Sequence, residues 1–193
     1  TRTIGWTTVG TIPAVDLHYS TDSGVTFSTA IGLSIPNTGS YAWNIPNNIG
    51  RYARVRVKSS SNAAVSDSSA ANFTIAGGFN LMAPNGAEAW SVGSAQSITW
   101  TSTGTISNVK IEYSTDTGAT FPNLILASTA NTGIYNWTIP DAIGSSVRVR
   151  VSDVDESNGL DVSDANFSIK GSFTMTLPAA SQALKVGAVD TIS

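Results

Sequence analysis

The chain has 193 residues, with ten Lys and Arg against thirteen Asp and Glu, a formal net charge of −3 and no cysteine. Charged side chains make up only 12% of it, so it carries no basic footprint for nucleic acid, and without thiols it can build neither a disulfide framework nor a thiolate metal site. No apolar run approaches the roughly 18 residues of a membrane span, and the chain opens at Thr1 without a leader, so any targeting segment is expected outside this window.

In chain order, Ile4 and Trp6 mark a first short strand, and Val15, Leu17 and Tyr19 alternate with polar neighbours as a half-buried strand requires. Ala53, Val55 and Val57 alternate with Arg54 and Arg56 in the same way. Residues 79–83 begin a new strand, Pro84-Asn85-Gly86 breaks it, and 89–92 resume it before Gly93. Further strands are expected at 96–102, 109–113, 121–128, 134–139, 147–151 and 165–169. About seven short strands per unit, turn signals every 8–12 residues and no amphipathic pattern of helix length predict an all-β fold of antiparallel β-sandwiches. Trp6, Tyr19 and Trp43 are expected to centre one core, and Trp100, Tyr113 and Trp137 another.

The two sets coincide because the chain repeats itself without a gap at an offset of 94 positions. Tyr19-Ser20-Thr21-Asp22 falls on Tyr113-Ser114-Thr115-Asp116, and Arg54-Val55-Arg56-Val57 on Arg148-Val149-Arg150-Val151. Phe79 and Pro84 are matched once more by Phe173 and Pro178. A period this long suits an array of small domains that each own a core. The expected division is 1–77, a first sandwich lacking its opening strands; 78–171, a complete one; and 172–193, the opening of a third.

Ser20-Thr21-Asp22-Ser23-Gly24-Val25-Thr26-Phe27 and its copy Ser114-Thr115-Asp116-Thr117-Gly118-Ala119-Thr120-Phe121 form the most specific local motif. It resembles the Asp-box of sialidases and other propellers, where it is a hairpin corner remote from the chemistry. Asp22 and Asp116 are expected to accept hydrogen bonds from turn amides, with Gly24 and Gly118 supplying a positive φ. Carboxylates cluster once, at Asp153, Asp155, Glu156 and Asp161. A solvated loop is expected there, with Ca²⁺ binding by Asp153, Asp155 and Asp161 as the alternative. His18, the one histidine, occupies an outward strand position matched by Glu112, which offers no Ser-His-Asp arrangement. Asp16 and Glu112 are expected to pair across strands with the outward arginines. No catalytic residue, metal site or cofactor is expected.

The run from Leu81 through Pro84-Asn85-Gly86, Trp90 and Val92-Gly93 to Ile98-Thr99-Trp100 resembles the opening of Ig- or fibronectin-III-like repeats in bacterial surface and secreted proteins. It is also similar to the opening of a fungal cell-wall glucan-synthesis module. The bacterial resemblance implies an extracellular or cell-surface, non-catalytic structural segment of a fibre or adhesin. Its partners would be neighbouring copies of the repeat, with surface glycans as a second class. Two alternatives stand beside it: a carbohydrate-binding or spacer module of a secreted hydrolase, and a filament subunit that exchanges strands. Phe173, Met175, Leu177, Leu184 and Val186 repeat the apolar phase of 79–92 and are expected to complete the opening of a neighbouring unit. Covalent continuation in a longer array is favoured there over exchange between separate subunits.

Overall fold

Val147, Val149 and Val151 alternate with Ser146, Arg148 and Arg150, and all three valines are buried at 1% exposure or less. That alternation puts one face of their strand against a second sheet, and the rest of the fold is built around it. The structure, a computed structural model, describes residues 1–176 and 185–187. Among the described residues there are strands and no helix, so no helix is long and apolar enough to cross a membrane.

The first repeat contributes β1 (Arg2–Gly5), β2 (Ala14–Ser20), β3 (Thr29–Pro36), β4 (Ser40–Trp43), β5 (Gly50–Ser59), β6 (Ser66–Ser68) and β7 (Phe73–Ile75). The second contributes β8 (Gly78–Ala83), β9 (Ala89–Ser91), β10 (Ala95–Thr103), β11 (Asn108–Ser114) and β12 (Asn123–Ala130). It continues with β13 (Ile134–Thr138), β14 (Gly144–Asp153), β15 (Leu160–Val162) and β16 (Phe167–Lys170). The short β6 and β15 carry no alternation long enough to read from sequence.

In the second repeat, one sheet runs β13-β10-β8 and the other β12-β11-β14-β16-β9, with β15 also on β14. All pairings are antiparallel except β16 with β9. Consecutive strands β8 and β9 thus lie in different sheets, and the Pro84-Asn85-Gly86 turn carries the chain across the sandwich. The first repeat has the same registers 94 residues earlier: Tyr19 faces Val55 as Tyr113 faces Val149, and Arg2 faces Trp43 as Gln96 faces Trp137. Its sheets are β1-β4 and β3-β2-β5-β6, with β7 on β5. Nothing among the described residues occupies the places of β8 and β9.

That difference decides the cores. Leu81 and Trp90 close the second core over Ile98, Trp100, Trp137 and Phe167. In the first repeat the buried cluster shrinks to Tyr19, Trp43, Ala53 and Ile75. Val149 and Phe167 are buried, whereas their counterparts Val55 and Phe73 are half exposed. Trp6 corrects the sequence expectation: it is half-buried, because β8, which lies beside its counterpart Trp100, has no equivalent there. Burying one such side chain is worth about 1.5–3 kcal/mol, so several left open make the first repeat the weaker of the two.

Heating should therefore give two transitions, the lower from the first repeat. Leu17 and Ile111 hold matching sites, each at 0% exposure. Leu17→Ala should lower only the first transition and Ile111→Ala only the second, each by about 2–5 kcal/mol. One shared transition that both variants move would contradict this, and differential scanning calorimetry decides.

Candidate functional site

The Ser-Thr-Asp segments leave β2 and β11 and turn back toward β3 and β12. Ser20 Oγ accepts the amides of Asp22 (3.1 Å) and Gly24 (2.8 Å) and donates to the Asp22 carboxylate. That carboxylate accepts the Thr26 amide at 2.9 Å and its hydroxyl at 2.6 Å. Ser114, Asp116 and Thr120 repeat every one of these contacts. Gly24 and Gly118 have φ of +86° and +85°, a backbone that side chains resist. Phe27 and Phe121, at the end of each corner, lie 4.4 Å beneath the guanidinium carbons of Arg56 and Arg150. Each corner is thus hydrogen-bonded to itself and stacked on its own sheet.

Hydrogen bonds from the Ser hydroxyl, then the Thr hydroxyl and amide, hold the carboxyls of Asp22 and Asp116 down at about 2. The unfolded chain therefore takes up these protons first as pH falls from the ordinary value of 3.8. Stability from the corner is whole above about pH 5, shrinks through the unfolded value and is lost as pH drops through the folded one. Asp116→Asn should lower the upper melting temperature at pH 7 and flatten its decline on acidification. An unchanged acid limb in thermal melts would contradict this.

The acidic loop is solvated only in part, which refines the sequence expectation: Val154, Asp155, Ser157 and Asn158 are exposed, while Asp153 and Glu156 are buried. Glu156 is 2% exposed and receives Arg51 Nε at 2.7 Å, while Arg51 Nη2 donates to the Asp155 carbonyl. Burial pushes the Glu156 carboxyl up, but the Asn158 amide and Arg51 outweigh it and hold it below the usual range. Nor do the three aspartates converge as a Ca²⁺ loop would require. Asp153 accepts the Asp155 amide at 2.9 Å, and Asp161 accepts the Leu81 amide at 2.7 Å. Among the described residues no three acidic, His or Cys side chains are placed to hold a metal ion.

Arg51 and Glu156 instead join the two repeats. Asn47 reinforces them, accepting the Thr105 amide at 2.9 Å and donating to its hydroxyl at 2.6 Å, while Ile49 packs on the second core. The offset replaces Arg51 by Ser145 and Glu156 by Asn62, so a following junction of the same kind would lack this ion pair. Because the guanidinium is half exposed, Arg51→Ala should cost only about 1 kcal/mol. Its sharper effect is a looser junction, seen as a broader distance distribution in small-angle scattering; an unchanged distribution would contradict the latch.

Glu112, taken from sequence as outward and half exposed, is 7% exposed and carries Arg150 at 2.7 Å and Lys110 at 2.8 Å. The expected cross-strand pair forms here, but in the first repeat Asp16 meets Lys58 at 3.3 Å rather than an arginine. His18 faces Arg56 in the register that brings Glu112 to Arg150. Burial, then Lys58 and Arg56, push His18 below its ordinary value, so it stays neutral at pH 7. Among the described residues no hydroxyl is hydrogen-bonded to its buried Nδ1.

The first repeat leaves an apolar face open. One groove of about 510 Å³ is lined by Ile4, Trp43, Ile45, Val55, Phe73 and Ile75, the places over which Trp90 lies in the second repeat. A narrower one of about 170 Å³ runs along Trp6, Val15, Val57, Val65, Ser66 and Asp67, where β8 would lie. Phe173, Met175 and Val186 stand exposed and outside any strand, while Leu177 and Leu184 fall outside the described residues.

No protein-family model matches the chain, and no curated protein matches it. Among solved structures it is similar to the fibronectin(III)-like modules of Clostridium thermocellum CbhA, at 16% identity and TM-score 0.38, covering 88% of this chain and 85% of that one. It is also similar to the titin domains z1z2 in complex with telethonin, at 16% identity and TM-score 0.31, covering 85% of each chain. Scores at this level carry no inference about function. The β-sandwich assignment rests on the strand pairing and the buried core.

Proposed function

We propose that this chain is a piece of a tandem β-sandwich array that serves as a non-catalytic, rod-like scaffold of an extracellular or cell-surface protein. Residues 1–77, 78–171 and 172–193 are one open repeat, one closed repeat and the start of a third. The observation that carries this is the constant offset of every strand pairing in the first repeat, joined to the second by a short link at Ala76-Gly77-Gly78 and by the Arg51–Glu156 latch. A short link with polar bonds across it resists bending, as a spacer must. The sparsely charged, hydroxyl-rich composition and the self-satisfied Asp carboxylates fit a scaffold better than a ligand pocket.

The test uses an antibody raised against the chain. On intact producing cells it should label the surface, and the denatured antigen should run well above 20.0 kDa as part of a longer polypeptide. Labelling only after cell lysis would overturn the surface assignment, and hydrolase activity co-purifying on the same polypeptide would favour the spacer-module alternative.

A further inference from the structure

We propose that the outer face of β2 and β5, around Arg56, binds a carboxylate-bearing polysaccharide, and that Glu112 fills the matching place in the second repeat. The inference rests on the extracellular reading above, which puts this face within reach of glycans, and adds the chemistry of the ligand.

The second repeat displays what such a guanidinium takes. Arg150 stacks on Phe121 and donates to Glu112 from Nη2 at 2.7 Å and from Nε at 3.2 Å, while the other Glu112 oxygen holds Lys110 at 2.8 Å. The first repeat keeps the guanidinium and loses the acid. Arg56 lies over Phe27 at the same 4.4 Å, and His18 faces it in the register that sets Glu112 opposite Arg150. Arg56 Nε and His18 Nδ1 are both buried without a hydrogen-bond partner, so the imidazole does not replace the carboxylate bond. Nor does Asp16 supply it, being held by Lys58 at 3.3 Å, the Ser34 amide at 2.8 Å and the Ser60 hydroxyl at 2.7 Å. Among the described residues no carboxylate pairs with Arg56.

An unmade bond at a buried charged donor is costly, and an entering carboxylate would recover it. The ring of His18 is neutral at pH 7, so unlike Glu112 it can swing off Arg56 without abandoning a charge. Arg54, Arg56 and Lys58 alternate along the outer side of β5, with Val55 and Val57 between them. On a chain of net charge −3 that row is a local cationic track which a linear polyanion can follow.

The borders of the two faces separate a sugar acid from a protein carboxylate. Residues opposite one another on paired strands share a face. Leu124 stands opposite Glu112 and Val162 opposite Arg150, so two apolar side chains wall in the carboxylate that the protein itself supplies. In the first repeat Ala30 stands opposite His18 and Ser68 opposite Arg56. The border there is smaller and offers a hydroxyl, and Lys58 brings a second cation where the other repeat has Ser152. A uronic acid, whose carboxylate sits on a ring of hydroxyls, fits this border better than an acidic peptide.

Isothermal titration calorimetry of the full 193-residue chain with an oligogalacturonate tests this directly, and the binding should weaken as salt rises. His18→Glu, which copies the second repeat, should weaken it about tenfold or more, as should Arg56→Gln, with both melting transitions in place. Glu112→His combined with Leu124→Ala and Val162→Ser should add a second site of the same kind. A wild-type chain that takes up no oligogalacturonate, or a His18→Glu chain that binds as well as the wild type, would overturn the proposal. So would equal binding of an uncharged galactose oligomer, while an oligoglutamate of the same charge binding as tightly would overturn the choice of a polysaccharide. A triple variant that melts normally yet gains no site would overturn the role given to Glu112. Surface labelling of a chain that binds no oligogalacturonate would end this proposal and leave the scaffold reading standing.

Discussion

Trp90 lies against Trp137 and Phe167, with ring centroids 6.2 and 5.0 Å away, and that contact closes the second sandwich. Two sheets of a sandwich exclude water only when the strands on both margins are in place. In the second repeat β8 extends one sheet and β9 the other, so Ile98, Trp100, Val149 and Val151 fall below 3% exposure. Where both are missing, identical or similar residues at identical registers stay half open. The same sequence pattern therefore gives two different cores, and the difference traces to two short strands rather than to the core residues themselves.

Polar structure divides along the same line. The carboxylates of Asp22 and Asp116 find every hydrogen bond within their own corners. Outside contacts, such as those to Tyr52 and Arg56 or to Ser146 and Arg150, come from each corner's own repeat rather than from β8 or β9, so the corners are the same in the open and the closed repeat. Asp161 and Ser163 depend on β8, and their first-repeat counterparts lack those bonds. The Arg51–Glu156 latch belongs to neither sandwich alone. It uses a loop carboxylate that burial pushes up, and the Asn158 amide together with the guanidinium of the neighbouring repeat holds it below the usual range.

Sequence made some of this legible and not the rest, for physical reasons. Val15, Leu17 and Tyr19 on one strand and the valines at 147–151 announce their strands, because a period of two survives in the letters alone. The Asp corners are legible because every hydrogen-bond partner of the Asp carboxylate lies within four residues. Glu156 was not, since its partner is Arg51 on the other repeat and its copy, Asn62, gives no hint of burial. Trp6 misled because its match to Trp100 is perfect while the strand beside Trp100 is absent from its surroundings. The offset carries the corrective signal: it leaves residues 1–77 without opening strands, and a repeat without them leaves its core partners, Trp6 among them, uncovered.

Amide hydrogen exchange on the intact chain tests most directly whether the first repeat is open. If the missing strands are what separates the two cores, amides of β1 and β7 exchange orders of magnitude faster than their counterparts in β10 and β16, while the two Asp corners differ little. Equal protection in the paired strands would mean that the first repeat is closed by something else, and would contradict the account.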